Sequence, residues 1–494
     1  MKALLIYPKY PDTFWSYKHA LSFIHKKASL PPLGLLTVSS LLPKSWKKKL
    51  IDLNVNELKD EDILNADIVL ISAMIVQRDS VEDIIKKVKP FGKFIVAGGP
   101  LFSTLYKDFP GIDCFVLNEG EITIPLFLKD IENGMVKYIY QSEEKPDITK
   151  TPIPDWSLIN TNDYATMPIQ VSRGCPYSCD FCDIIVMNGR NPRLKNPEQV
   201  IAELDAIYNI GWRNAVFIVD DNFIGNRKKV KLILNEITLW MKKYNKPFVL
   251  STEASITLAD DVEIINLLKE SNFTSVFVGI ETPEEESLKS CGKYQNTGKD
   301  MKEKVNFLQR NGLEVKGGFI VGFDTDTIKT FDKMIEFIQN SGIVTAMVGL
   351  LHALPKTKLF ERLHKDGRIL NGASGNNTDS TLNFIPIIDK DILIEGYKKI
   401  LDTIYKPKNF YNRIIIYLNE YKEFATVSKL SFGITIKAIT RSIWLMGITE
   451  KGKLHFWKMI FWTLLHKPKL ISEAITQAIY GYHYRAVLLA KNDE

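Results

Sequence analysis

Three of the five cysteines fall within eight residues, in the run S-R-G-C-P-Y-S-C-D-F-C, which places them at Cys175, Cys179 and Cys182. So dense a set of soft thiolates points to metal, and above all to an iron–sulfur cluster, which ordinarily takes four ligands. Three ligands on one loop leave one iron without a protein ligand, and an open iron can chelate a further molecule. Zinc is the alternative, but a closed zinc site takes four ligands, usually as two separated pairs. Here Cys114 and Cys291 stand alone, and His19, His25, His352 and His364 are scattered. Five cysteines in 494 residues are no disulfide framework and indicate a reducing compartment.

The cysteine loop follows PIQVSRG, which reads as a strand, within a chain that alternates strand-like and helical segments. In residues 1–145 the runs KALLIYP, KKKLIDLN, ADIVLISAM, KFIVAGG and DCFVLNEG read as buried strands. Helical patterns over 32–42 and 80–88 separate some of them. This is α/β alternation of the doubly wound, Rossmann-like kind, with a ligand expected outside the carboxyl ends of the strands. The Pro- and Asp-rich stretch 146–167 reads as a linker. From 168 to 370 the alternation resumes with AVFIVDD, FVLSTEAS, SVFVGIET, GGFIVGF and VTAMVGLLHAL, predicting a (β/α)6 partial barrel whose chemistry collects at the strands' carboxyl ends. Asn196 and Pro197 supply a helix cap and first position, and Gly211 a stop. Residues 380–494 read as a mainly α-helical domain.

Charge is distributed unevenly. From residue 391 onward there are 16 Lys and Arg against 9 Asp and Glu, and 48 against 49 before it, so the net +6 resides in the last segment. Trp444, Trp457 and Trp462 lie there too. A basic, aromatic surface suits a membrane, an anionic substrate or nucleic acid, and equally a solvated helical domain. The five-residue apolar run before Pro8 is too short for a signal-peptide core, and no stretch reaches the roughly 18 apolar residues of a membrane span. A cytoplasmic protein is the expectation.

The pattern C-x-x-x-C-x-aromatic-C, with Phe181 as the aromatic residue, closely resembles the radical S-adenosylmethionine superfamily. The resemblance implies a 4Fe–4S cluster whose open iron is chelated by S-adenosylmethionine. It also implies one-electron cleavage, supplied by a donor such as flavodoxin or ferredoxin, to a 5′-deoxyadenosyl radical that abstracts hydrogen from substrate. Gly279-Ile280-Glu281-Thr282 and Gly318-Phe319-Ile320-Val321-Gly322 resemble the family's cofactor-contacting strands. Phe181, Glu253, Gly279, Glu281, Gly318, Ile320 and Gly322 are therefore candidate cofactor contacts. Asp220, Asp221 and Asn222 close another strand and are candidates for ribose, methionine or substrate. His352 could face the site, whereas His483 reads as packing.

A doubly wound domain before such a barrel resembles the cobalamin-binding subfamily, through Pro31-Pro32-Leu33-Gly34-Leu35, Ala97-Gly98-Gly99-Pro100 and Asn118-Glu119-Gly120-Glu121. Ser72, Gly98, Gly99, Glu119 and Gly120 are the residues this implies for cobalamin. The lower-ligand motif D-x-H-x-x-G is missing: Asp12 and His19 do not have its spacing, so the cobalamin implied has no His ligand. The resemblance narrows, through YPDTFWSYKHAL and KLHFWKMIFWTLLHKPKLISEAITQAIYGYHY, to a subgroup that includes hopanoid methylases. It implies methyl transfer to an unactivated carbon of a small or lipid substrate, with peripheral membrane contact through the basic carboxy-terminal region. A non-methylating rearrangement, cyclisation or oxidation, and a non-catalytic cobalamin or redox sensor, stay open. Nucleic acid is disfavoured, because no RNA-binding module is recognisable.

Overall fold

Short apolar runs without alternation are strands buried on both faces, and five of them make most of the first sheet. The computed structural model describes residues 1–492 except 299, 371, 373, 377 and 425–431. Its first sheet contains β1 (Lys2–Tyr7), β2 (Lys47–Asp52), β3 (Ile68–Ser72), β4 (Phe94–Gly98), β5 (Cys114–Val116) and β6 (Ile139–Tyr140). The sixth strand was not anticipated; two residues are too few to show a pattern. All pairs are parallel, in the order β2-β1-β3-β4-β5-β6. The winding reverses between β1 and β3, so the loops leaving their carboxyl ends part and open a crevice. Successive side chains point to opposite faces. Leu4, Ile6, Val69 and Ile71 pack in one core. Ala3, Leu5 and Leu70 join a second core that continues into the rest of the chain.

The second sheet holds β7 (Met167–Ile169), then, after a two-stranded hairpin of β8 (Ser172–Arg173) and β9 (Arg193–Leu194), the strands β10 (Ala215–Ile218), β11 (Val249–Glu253), β12 (Phe273–Glu281), β13 (Glu314–Val321) and β14 (Ala346–Leu350). The sheet runs β7-β10-β11-β12-β13-β14, every pair parallel, as an open six-stranded array. PIQVSRG, expected as one strand, divides in two. Val171 N–H donates to Asp220 Oδ1 at 2.7 Å, and the chain leaves the sheet for the antiparallel hairpin. The helix after it, Pro197–Asn209, begins as its sequence requires: Asn196 accepts from the Gln199 N–H at 2.9 Å and Pro197 occupies the first position.

Beyond the barrel lie α1 (Lys390–Tyr405), α2 (Pro407–Glu420), α3 (Phe432–Ser442), a π-helix (Ile443–Thr449), α4 (Lys453–His466) and α5 (Ile471–Asn492). Residues 425–431 and 493–494 of the expected helical domain lie outside the described residues. Arg413 of α2 is fully buried and donates to the carbonyls of Ile404 (2.9 Å) and Val344 (3.2 Å), tying the helices to the barrel. Helix α5 returns to the first domain: buried His483 bonds the Phe14 carbonyl at 3.2 Å, and Tyr484 packs edge-on to Phe14. Among the described residues no helix is long and apolar enough to cross a membrane.

Candidate functional site

The cysteine loop is held from three sides. Gly174, at φ +97°, lies where a Cβ would meet the Gly189 carbonyl at 2.8 Å, and the Cys175 N–H donates to that carbonyl at 3.2 Å. Gly292, at φ +73°, sits as close to the Ser178 carbonyl, while the Asp180 N–H donates to the Cys291 carbonyl at 2.9 Å. From the barrel, Asp220 accepts from Val171 N–H and from the Ser172 hydroxyl at 2.6 Å, and Asp221 accepts from Asn188 at 3.1 Å. Asp220 and Asp221, read as candidates for cofactor or substrate, are thus occupied in anchoring the loop. Asn222 reaches the site itself: its amide donates to Cys175 Sγ at 3.7 Å.

The three thiols are free. Among the described residues no three His, Cys, Asp or Glu side chains converge to hold a single metal ion. A cluster asks for something else, one thiolate at each of several separate irons, and an all-thiolate donor set fits it. Burial pushes the Cys175 thiol up and that of Cys182 up to about 12. Charge brought into this loop therefore needs compensation, and a lysine that the sequence reading missed supplies it. Lys293 is buried in an ion pair with Glu281. Burial opposes its charge, yet Glu281 and the thiols of Cys179 and Cys182 together hold its pKa above the ordinary value. Gln295, also missed, donates to Cys179 Sγ at 3.5 Å.

Several residues singled out in the sequence gather round this loop. Glu281 has a left-handed backbone at φ +65°, and its carboxylate fills the space where a Cβ on Gly279 would lie. Asn296 donates to the carbonyls of Gly279 (2.9 Å) and Ile280 (3.1 Å). Phe181 meets Phe323 edge-on at 6.0 Å and, with Ile320, packs against the apolar cluster that includes Cys291 and Phe323. Gly318 lets the Phe277 ring approach, 3.0 Å from where a Cβ would stand. Gly322, at φ +111°, donates its N–H to Asp326 at 2.8 Å.

The other candidates surround a cavity of about 950 Å³ between the two sheets, at the upper end of the roughly 300–1,000 Å³ usual for small-ligand sites. Ser72, Gly98, Gly99, Glu119 and Gly120 line it from the ends of β3, β4 and β5, on the crevice side of the first sheet. Phe217, Glu253 and Met347 line it from the barrel. Gly99, at φ +91°, lies where a Cβ would meet the Ser72 hydroxyl at 2.5 Å, and a Cβ on Gly98 would stand 2.6 Å from the Val116 carbonyl oxygen. Without side chains at these two positions the end of β4 lies close against β3 and β5, and the glycine-lined edge this leaves fits a large planar ligand with a tail. The loop between β1 and the helix Leu33–Leu41 forms one wall, and there Trp15 stands 4.9 Å from the Phe277 ring. Among the lining residues there is no histidine. His352 instead bonds the Thr381 carbonyl at 2.9 Å, and burial lowers His483 to about 4. Glu253 has no hydrogen-bond partner among the described residues; burial, with the charges of Asp221 and Asp220, pushes its carboxyl up to about 8.

Glu119 is used differently from the other cavity residues. Both its oxygens are held by arginines of the cysteine hairpin, Arg173 at 2.7 Å and Arg193 at 2.8 Å. Arg173 also pairs with Glu121 at 2.8 Å and with Gln170 at 2.7 Å. The network joins the end of β5 to the residues just before Cys175, so the two cofactor regions are braced against each other.

Comparison with known proteins identifies three family matches along the chain. Residues 24–128 match the B12 binding domain, 169–338 the Radical SAM superfamily, and 357–492 a Domain of unknown function (DUF4070). The chain is 41% identical to an uncharacterized methyltransferase of Synechocystis, over 98% of this chain and 91% of that one. It is 34% identical to the hopanoid C-2 methylase of Rhodopseudomonas palustris, over 92% and 88%. In fold it resembles the cobalamin-dependent S-adenosylmethionine radical enzyme OxsB, solved with aqua-cobalamin and S-adenosylmethionine bound (TM-score 0.64, 15% identity, 99% of this chain and 79% of that one). It also resembles the radical S-adenosylmethionine methyltransferase TsrM from Kitasatospora setae, solved with cobalamin and a [4Fe-4S] cluster (0.60, 14%, 97% and 99%).

Proposed function

The chain belongs to the cobalamin-binding radical S-adenosylmethionine family that includes hopanoid C-2 methylase, and from that premise we propose that it transfers a methyl group to an unactivated carbon of a small or lipid substrate. Its cofactors are a 4Fe–4S cluster, S-adenosylmethionine and cobalamin. The observation that carries the reading is the cavity walled on one side by the crevice of the first sheet and on the other by the barrel. When bound, the cluster and S-adenosylmethionine supply the radical that removes hydrogen, and cobalamin supplies the methyl group.

The chain's own part is to bind, orient and exclude water. Cys175, Cys179 and Cys182 hold the cluster, Lys293 offsets its charge, and Gln295 and Asn222 orient two of the thiolates. Gly279, Gly318, Ile320 and Gly322 shape the floor for S-adenosylmethionine, with Phe181 packed behind it. Ser72, Gly98, Gly99 and Gly120 form the cradle for the corrin and its tail. Glu253, which has no hydrogen-bond partner among the described residues, orients substrate or cofactor from the barrel wall. Enzymes with this domain need an electron donor, and one of the flavodoxin or ferredoxin kind belongs to the same reading, as does contact of the basic carboxy-terminal region with a membrane.

The test is turnover of methyl-deuterated S-adenosylmethionine by the anaerobically reconstituted protein with cobalamin, a reductant and a panel of hopanoid and other polycyclic lipids. The expected product is heavier by one deuterated methyl group, with 5′-deoxyadenosine and S-adenosylhomocysteine formed together. Deoxyadenosine with no methylated product on any lipid or small-molecule substrate would refute methyl transfer.

A further inference from the structure

Helix α4 carries apolar side chains on two opposite faces, with Lys453 and Lys458 exposed beside the outer one. Phe456, Met459, Ile460 and Thr463 are buried, facing inward toward α2 and α5. The opposite face carries Leu454, Phe461 and Leu465, whose spacing of seven and then four residues aligns them in one stripe, and they are 77%, 59% and 80% exposed. The adjoining π-helix adds Trp444 and Ile448, 59% and 49% exposed, and is tied to α4 by the Trp457 indole N–H, which donates to the Gly447 carbonyl at 2.9 Å. Large apolar side chains in a contiguous exposed stripe mark a contact surface.

The charges around this stripe specify what it contacts. Between residues 436 and 469 there are seven Lys or Arg and a single acid, Glu450, which is paired with Arg485 at 2.7 Å. Lys451, Lys453, Lys458 and Lys469 are exposed. An apolar stripe with an aromatic residue, in a field of lysines, is the composition of a helix that lies in a bilayer interface with its cations among anionic headgroups. We propose that the π-helix and α4 dock this protein onto the surface of an anionic lipid bilayer, their apolar face inserted and their lysines on the headgroups. The helices beside them hold the loop that walls the cavity: Arg441 donates to the Ser22 carbonyl at 3.1 Å, and His483 bonds Phe14. Docking thus fixes the leaflet relative to that wall. The inference rests on the proposed lipid methylation only for the purpose of docking, and its test reads binding without turnover.

The reconstituted holoenzyme is floated with vesicles of phosphatidylglycerol and phosphatidylcholine, and with vesicles of phosphatidylcholine alone. The wild type floats with the anionic vesicles, and the association falls at high salt as the headgroup field is screened. L454Q/L465Q and K451Q/K453Q/K458Q each lower vesicle affinity at least tenfold while leaving the melting temperature and 5′-deoxyadenosine formation unchanged. A wild type that stays unfloated, or variants that float as well as it does, would overturn the proposal. So would a wild-type dimer in sedimentation that L454Q/L465Q makes monomeric with vesicle binding intact, because the stripe would then join two copies. Loss of methyl transfer with flotation preserved would count against the enzymatic reading alone.

Discussion

Replacing Glu119 by Ala tests whether the arginine network braces the cysteine hairpin. The carboxylate is nearly buried between Arg173 and Arg193, whose side chains are 14% and 16% exposed. Removing one member of a buried ion pair costs about 3–5 kcal/mol, since the remaining charge stays desolvated. Arg173 keeps Glu121 and Gln170. Among the described residues Arg193 keeps only the carbonyls of Pro146 (2.9 Å) and Asn188 (3.2 Å). The loss therefore falls on one arginine, and the low end, about 3 kcal/mol, applies. At about 2–4 °C per kcal/mol for a unit of 150–250 residues, the first calorimetric transition should drop by roughly 6–12 °C. Amide exchange should rise in residues 170–195, and iron bound after reconstitution should fall, because Gly174 and Cys175 follow directly on Arg173. The double variant E119A/R193A should lose less than the two single changes together, since no unpaired arginine is left behind. An E119A protein that melts within about 2 °C of wild type, with hairpin exchange unchanged, would refute the bracing argument.

Other substitutions probe single features. Cys179→Ala should abolish the cluster's absorption after anaerobic reconstitution and leave the far-ultraviolet spectrum intact; full iron content would remove the ligand assignment. Gly98→Ala puts a Cβ 2.6 Å from the Val116 carbonyl oxygen and should cost about 1–3 kcal/mol by parting β4 from β5. Gly34→Ala, with nothing within 4 Å, is its control, and equal melting of the two would contradict the packing account. Glu253 has a folded-state pKa raised to about 8, so its contribution to stability is whole below the unfolded carboxyl value of about 4.3 and is lost as pH rises toward 8. E253Q should flatten the fall in melting temperature over that window, and parallel curves for the two proteins would show that the carboxyl ionises freely.

What the sequence disclosed depended on whether a signal was local. Apolar runs such as ADIVLISAM and KFIVAGG reveal buried strands because each records its own surroundings, and Asn196-Pro197 marks a helix start within two residues. The cysteine triplet is local in the same way. Lys293 and Gln295 lie in an unremarkable loop more than a hundred residues on, and nothing near them in the chain says that they meet the thiols. Glu119 looked like a cofactor contact because of its place after a strand; its partners Arg173 and Arg193 are 54 and 74 residues distant. Asp220 illustrates the converse: a strand-end acid suggests chemistry, but its lone pairs are spent on Val171 and Ser172. The glycines of Ala97-Gly98-Gly99-Pro100 line the crevice, yet Gly98 is required first by the neighbouring strand.

The contact between His483 and Phe14 joins residues 469 positions apart, and it holds the loop that walls the cavity. At about 5–20 residues per second of synthesis, the first partner waits on the order of half a minute to a minute and a half for the second. Once β6 has been made, and for the rest of that interval, the first sheet can form its crevice while the wall lacks its fastener. The wall of the cavity can therefore be pinned only after both sheets have been made.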